Sequence, residues 1–250
     1  AGLTFFIAVA ATNLFHQGNW QRVFAAKNEK ILKQSLVASF FIIIPIVFFM
    51  GFSGLIAVSI NERVNPDLAF FSVLLNRDTP ILAVLVIIMA LSLTISTLDT
   101  LINAISSLVI VEGKKFFVNH SNKNLLKLSN LFLVILSLIA FLIASKGYSI
   151  LYLFLLADLF CCAAVFTVFN GLYSKKVSEK KSFISILLGL TLGLLLFPSP
   201  DFSQSIMVGF ILTSELFPQI ISNYLLFWSF LLATLVPAIV IISYDSFKRR

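Results

Sequence analysis

The side chains of this chain that could do chemistry are concentrated between Ser92 and Ser107, in the middle of an apolar segment. Apolar residues precede the stretch at 81–91 and follow it at 108–111, so the polar row falls about halfway through a segment long enough to cross a bilayer. Polar groups at that depth must contact each other, another helix or an ion. Residues at helical spacing share one face, which we expect to look inward and to carry the function: Ser92, Ser96, Asp99, Thr100, Asn103, Ser106 and Ser107.

A second intramembrane carboxylate, Asp158, stands in the apolar run 151–161 with no cationic residue in its own span. Because an unpaired charge facing lipid is costly, we expect Asp158 to face the interior of a helix bundle. There it could accept hydrogen bonds from the N–H groups of a solute or pair with an ammonium group. A plain hydrogen bond to a neighbouring helix is an equally good interpretation.

The first apolar segment, 1–20, ends in an unusual polar stretch. Its apolar run meets Asn13, His16, Gln17 and a glycine before the first basic residues. Amide and imidazole groups suit a small polar solute, and interrupted helices in transporters expose such groups to a binding cavity. Alternatively, the stretch is the polar end of an intact helix that reaches cytoplasmic water. Trp20 is either part of the site or an anchor at the membrane interface.

The composition is that of a membrane protein. The 250 residues are 59% apolar and 12% charged, with a mean hydropathy of +1.03, which is more apolar surface than one soluble core can bury. Hydropathy predicts seven spans, at 1–20, 33–58, 79–111, 125–145, 148–173, 182–197 and 222–244.

The net charge of +7 marks topology rather than a nucleic-acid partner. Of the 18 Lys and Arg residues, 15 lie in every second connection between the predicted spans, and Arg63, Arg77 and Lys146 are the rest. This is the positive-inside pattern. It predicts an integral protein of the plasma (inner) membrane, with the first span running from outside to inside and a cytoplasmic C-terminus.

Four local signals predict finer features. Asn65 and Pro66 are a plausible N-cap and first residue of a short helix outside the membrane, which is either a lid or a surface helix. Gly189 and Gly193 predict close helix packing, and Pro237 predicts a kink. The adjacent Cys161 and Cys162 are expected to be small packing residues.

Three motifs, in the right order, resemble sodium:solute symporters. They are Asn13–Lys27 with its Gln-Arg pair, Ile95–Thr100 ending in Glu112-Gly113, and Leu155–Leu159 with Gly171–Tyr173. The first and third look most like the urea active transporter branch, which also includes polyamine uptake. The resemblance implies an all-α, multi-spanning bundle: the second half of a five-plus-five inverted-repeat fold. Residues 1–173 would form that repeat, 174–250 would add two trailing helices, and the N-terminal half of the same chain would be missing.

The resemblance also implies an ion site. Ser96 and Thr97 match positions whose hydroxyls help to bind the coupling sodium ion, and Na⁺, a hard cation, prefers oxygen ligands. Asp99 would support this site without binding the ion directly. The alternative is that these hydroxyls bond back to a carbonyl of their own helix.

Together these observations predict a non-enzyme: a sodium-coupled symporter that imports a small polar nitrogenous solute, urea or a polyamine, through Asn13, His16, Gln17 and Asp158. No catalytic constellation, metal-ligand spacing or phosphate-binding loop is visible in the sequence. We expect no cofactor besides Na⁺ as coupling ion, and no partner beyond the solute, lipid and the missing half of the chain. Symport of an amino acid, sugar or carboxylate, a symporter-like membrane sensor, and a membrane hydrolase using His16 with an aspartate are the alternatives.

Overall fold

The computed structural model describes residues 2–61, 63–75, 80–116, 122–173, 178–205 and 224–247. In these ranges every regular element is a helix, apart from one antiparallel bridge between Pro198 and Ser205. This confirms the all-α prediction. The helices are α1 (Gly2–Phe15), α2 (Gln17–Ala25), α3 (Glu29–Ile60), α4 (Ala69–Leu74), α5 (Pro80–Phe116), α6 (Asn122–Ala144), α7 (Ile150–Tyr173), α8 (Glu179–Leu196) and α9 (Leu225–Phe247).

Five of these helices, α3, α5, α6, α7 and α9, are long and apolar enough to cross a membrane. Since a bilayer core of about 30 Å needs roughly 20 helical residues, these helices make the protein a multi-spanning membrane protein. The other two predicted spans are shorter helices. α1 has 14 residues, and α8 has 18, of which the first three are charged.

The chain divides into two compact units. The first unit is Ala1–His16 with Tyr148–Arg250, and the second is Gln17–Gly147. The predicted boundary between a repeat at 1–173 and two trailing helices at 174–250 is a different kind of division, and it stays a prediction. Predictions for the external connection beyond Ser205, for Arg77 and for the basic C-terminal residues 248–250 lie outside the described residues.

The first unit is a bundle in which α7 packs against α1, α8 and α9. α7 buries one face through Leu155, Leu159 and Cys162, at the spacing of successive helical turns. α1 meets this face with the small residues Ala8 and Ala11, so that the two backbones approach closely. The cysteines are free, and Cys162 is fully buried, which confirms their packing role.

Glycines bring α8 against α9. A Cβ added at Gly189 would clash with Cγ of Pro237 and would stand 2.9 Å from the carbonyl oxygen of Ala233. At Gly193 the backbone carbonyl accepts a buried hydrogen bond from Oγ of Ser229, at 2.7 Å. The predicted close packing is therefore confirmed, and the partner is the helix that contains Pro237.

The second unit contains two structures that position its polar residues. Asn65 Oδ1 accepts a hydrogen bond from the backbone N–H of Asp67 at 3.0 Å, and a short 3-10 turn begins at Pro66. This confirms the predicted helix start. α5 and α6 pack side by side, joined by a 2.8 Å hydrogen bond between the hydroxyls of Ser106 and Ser129.

Candidate functional site

The first apolar segment is interrupted as predicted. α1 ends at Phe15, α2 begins at Gln17, and His16 lies between them outside either helix. The backbone N–H of His16 bonds three residues back to the Asn13 carbonyl, at 3.4 Å, in the tighter geometry found at helix ends.

Asp158 faces this last turn from α7. The residue is 6% exposed, and its Oδ1 accepts a hydrogen bond from Oγ1 of Thr12. Asp158 shares its helix face with the buried residues Leu155, Leu159 and Cys162, because they lie three or four positions away. The prediction that Asp158 looks into the bundle is confirmed, whereas its role in binding stays a prediction.

Within the described ranges, the Asp158 carboxylate is not part of an ion pair. The Cys161 thiol lies beside Thr12 and Asp158, and Cys162 contacts the Ile7 carbonyl at 3.9 Å. Among the described residues, ion pairs join Lys33 to Glu29 and Lys115 to Glu112, both exposed on helix surfaces. Neither pair includes Asp158, so among the described residues the carboxylate accepts a hydrogen bond from a hydroxyl and has no ion-pair partner.

The other predicted solute-binding residues have different surroundings. Asn13 is exposed, and its Nδ2 donates to the Val9 carbonyl at 2.9 Å. His16 is half-buried, and its Nδ1 has no hydrogen-bond partner among the described residues. Both belong to the same unit as Asp158, whereas Gln17 is an exposed residue at the start of α2 in the second unit.

The predicted ion-site residues lie on α5, in the second unit. One uninterrupted helix holds the whole polar row, as expected. Oγ1 of Thr97 donates to the Leu93 carbonyl at 2.9 Å, one turn back. The side chains of Ser96 and Asp99 are exposed. The hydroxyl hydrogen of Thr97 is thus used within its own helix, and lone pairs of its oxygen can still meet an ion.

Sequence reasoning did not single out Thr12, although it turned out to be the hydrogen-bond partner of Asp158. The two residues are 146 positions apart, and no periodicity in either segment reports which helices touch. The available signal was that Thr12 opens the polar stretch at the end of the first apolar run.

Chemically, this arrangement can bind. The Asp158 carboxylate, which accepts a hydrogen bond from the Thr12 hydroxyl, can recognise a group that donates hydrogen bonds or carries positive charge. The Nδ1 atom of His16 is a further polar atom in the same unit. Within the described ranges no group of three or more His, Cys, Asp and Glu side chains could hold a metal ion.

Comparison with known proteins gives one partial relative. The chain is 29% identical over 171 residues to the spermidine transporter DUR31 of Candida albicans, an alignment that includes 67% of this chain and 32% of that protein. The chain therefore spans about a third of the length of this curated relative. No protein-family model matches the chain, and no solved structure matches it either.

Proposed function

We propose that this chain belongs to a secondary transporter that moves a small polar nitrogenous solute across the membrane, with Na⁺ as the coupling ion. The observation that carries the proposal is the buried Asp158 carboxylate beside the interrupted helix α1, within a bundle of apolar helices. In secondary transporters, the solute-binding site is typically formed by polar groups inside the helix bundle, next to a break in a membrane helix. The partial likeness to a spermidine transporter supports transport of a polar solute.

For the solute, we favour a polyamine over urea. A carboxylate is the natural partner of an ammonium group, and the relative is named for spermidine. Urea is the second candidate, since the side chains of Asn13 and Gln17 offer both donors and acceptors to a neutral amide. Uptake of labelled spermidine, urea and proline by the full-length protein in liposomes decides between them. Robust uptake of proline, without uptake of spermidine or urea, would refute both candidates.

For sodium, the support is the row of hydroxyl oxygens on α5. Replacing Ser96 or Thr97 with Ala removes one oxygen and preserves the helix, because Ala is the best helix former. We expect sodium to bind more weakly, and solute affinity at low sodium to fall with it because the two binding events are linked. Saturating sodium should restore much of that affinity by mass action.

The matched control is Ser107→Ala. Its hydroxyl bonds to the Asn103 carbonyl of its own helix at 2.8 Å, whereas Ser106 joins α5 to α6 and would report on packing. If both Ser96→Ala and Thr97→Ala leave the sodium dependence of uptake unchanged, α5 does not hold the coupling ion. A sensor module would instead bind solute without any sodium-driven uptake.

A further inference from the structure

We propose that Asp158 and Thr12 form a charge-selecting pair: the carboxylate binds an ammonium group of the solute, and Thr12 positions the carboxylate for it. The inference rests on the proposed function and deepens it, because it assigns the choice between cationic and neutral solutes to two named side chains.

The first support is an imbalance of charge around Asp158. Burial removes water from the carboxylate, and an ionised group in such a place requires compensation by positive charge or by several hydrogen bonds. Thr12 supplies one hydrogen bond, and the ion pairs of the described residues are elsewhere. An ionised carboxylate can accept about four hydrogen bonds. Most of its acceptor capacity therefore remains for a ligand.

The second support is the helix end that carries Thr12. Thr12 lies in the last turn of α1, and the aligned peptide dipoles of a helix place a partial negative charge at its C-terminus. This partial charge and the Asp158 carboxylate are both negative, and they lie close together where Thr12 contacts Asp158. The combination repels anions, offers a neutral solute only hydrogen bonds, and attracts a cation by charge as well.

The third support is the apolar packing around the pair. Leu155, Leu159 and Cys162 on the same face of α7 are buried, and Ala8 and Ala11 of α1 are in the same core. Charges interact more strongly where water is excluded, so one carboxylate discriminates more sharply here than at a surface. Thr12 matters because a side chain held by one defined hydrogen bond keeps its second oxygen aimed in a fixed direction.

The test compares cationic and neutral solutes on the full-length protein in liposomes. Half-saturating concentrations for spermidine, butylamine and urea are measured by competition in the wild type and in Asp158→Asn, Asp158→Glu, Thr12→Val and Thr12→Ser. We expect Asp158→Asn to weaken both amines at least about tenfold and to change urea less than about twofold. Asp158→Glu should retain the preference for amines. Thr12→Val should weaken the amines about threefold or more, with rescue by Thr12→Ser.

Thr167→Val is the matched control. Thr167 lies on α7, the same helix as Asp158, and its buried hydroxyl hydrogen-bonds to the hydroxyl of Ser185 at 3.1 Å. It should leave the ratio of amine to urea affinity unchanged.

An unchanged ratio in Asp158→Asn would overturn the proposal, as would a change in sodium dependence alone, which would make Asp158 part of the ion site. If Asp158→Asn does not fold, the decision passes to Thr12→Val, where a wild-type ratio in a monodisperse protein overturns the positioning role. Failure of the wild type to transport any of these solutes would instead refute the proposed function.

Discussion

The contact between α8 and α9 gives the sharpest prediction about stability. Gly189→Ala adds a methyl group that clashes with Cγ of Pro237 and stands 2.7 Å from Cδ of the same ring and 2.9 Å from the backbone oxygen of Ala233. A proline ring and a backbone carbonyl cannot rotate away, so the helices must separate. Overpacking of this kind costs about 1–3 kcal/mol, and Ala recovers up to about 1 kcal/mol of helix propensity relative to Gly. We take the upper end of the overpacking range, which gives a net loss of about 2 kcal/mol.

Unfolding by SDS in mild detergent, followed by tryptophan fluorescence, to which Trp228 on α9 contributes, measures this loss. Gly193→Ala should cost less, because its nearest neighbours are the Ala233 methyl group at 2.9 Å, and a leucine methyl group and the Ser229 carbonyl oxygen at 3.2 Å, all farther away than the proline ring is from Gly189. Gly171→Ala in α7 is the control: an added Cβ there meets nothing within 4 Å. It should be neutral or stabilising.

A double-mutant cycle tests the cause. Pro237→Ala removes both ring atoms nearest to Gly189, so the cost of Gly189→Ala should be smaller in that background. Equal costs in the two backgrounds, or a Gly189→Ala protein as stable as Gly171→Ala, would refute the steric argument.

Two further predictions concern the regions outside the membrane. A cysteine introduced at Ser178 should be shielded from an impermeant thiol reagent added outside, and one at Asn65 should react; labelling at Ser178 would reverse the predicted orientation. Hydrogen bonds from Ser199 and Ser203 lower the pKa of Asp201 to about 2. Because the folded pKa is depressed, these bonds stabilise the loop above the ordinary pKa of 3.8 and are lost as the pH falls through about 2. Ser199→Ala should raise this pKa toward 3.8 in a carboxyl NMR titration, and an unchanged value would show that Ser199 is not the cause.

The helices were predictable from the sequence because each apolar run must satisfy its backbone groups internally. The interruption at His16 was predictable as well, since amide and imidazole groups are costly to expose to lipid. Helix ends were less predictable. α5 continues through Lys114 and Lys115, beyond the apolar run, because long basic side chains can reach water while their backbone stays helical. At the start of a different helix, α3, Asn28 acts as the N-cap by accepting a hydrogen bond from the Ile31 N–H at 2.9 Å. The helix therefore begins before its apolar part.

The packing partners were not predictable. The hydropathy of the segment predicts that Asp158 is buried, but it does not predict that Thr12 is its hydrogen-bond donor. Likewise, Gly189 predicts a close helix contact but does not indicate that Pro237 is on the other side of it. In both cases the missing information is rotation and register between helices distant in sequence. A single sequence with apolar residues on all sides of a helix does not contain a preferred face.

The composition of α8 has a consequence for how the protein reaches the membrane. After its charged first turn, residues 182–196 rise only about 22 Å as a helix, against a hydrocarbon core of about 30 Å. Such a segment partitions poorly into lipid by itself, whereas α9 is long and apolar enough to do so. We therefore expect the translocon to retain α8 until α9 emerges, and the two to enter the bilayer as a pair. A substitution at their contact would then be seen first as protein removed by quality control, before any effect on transport.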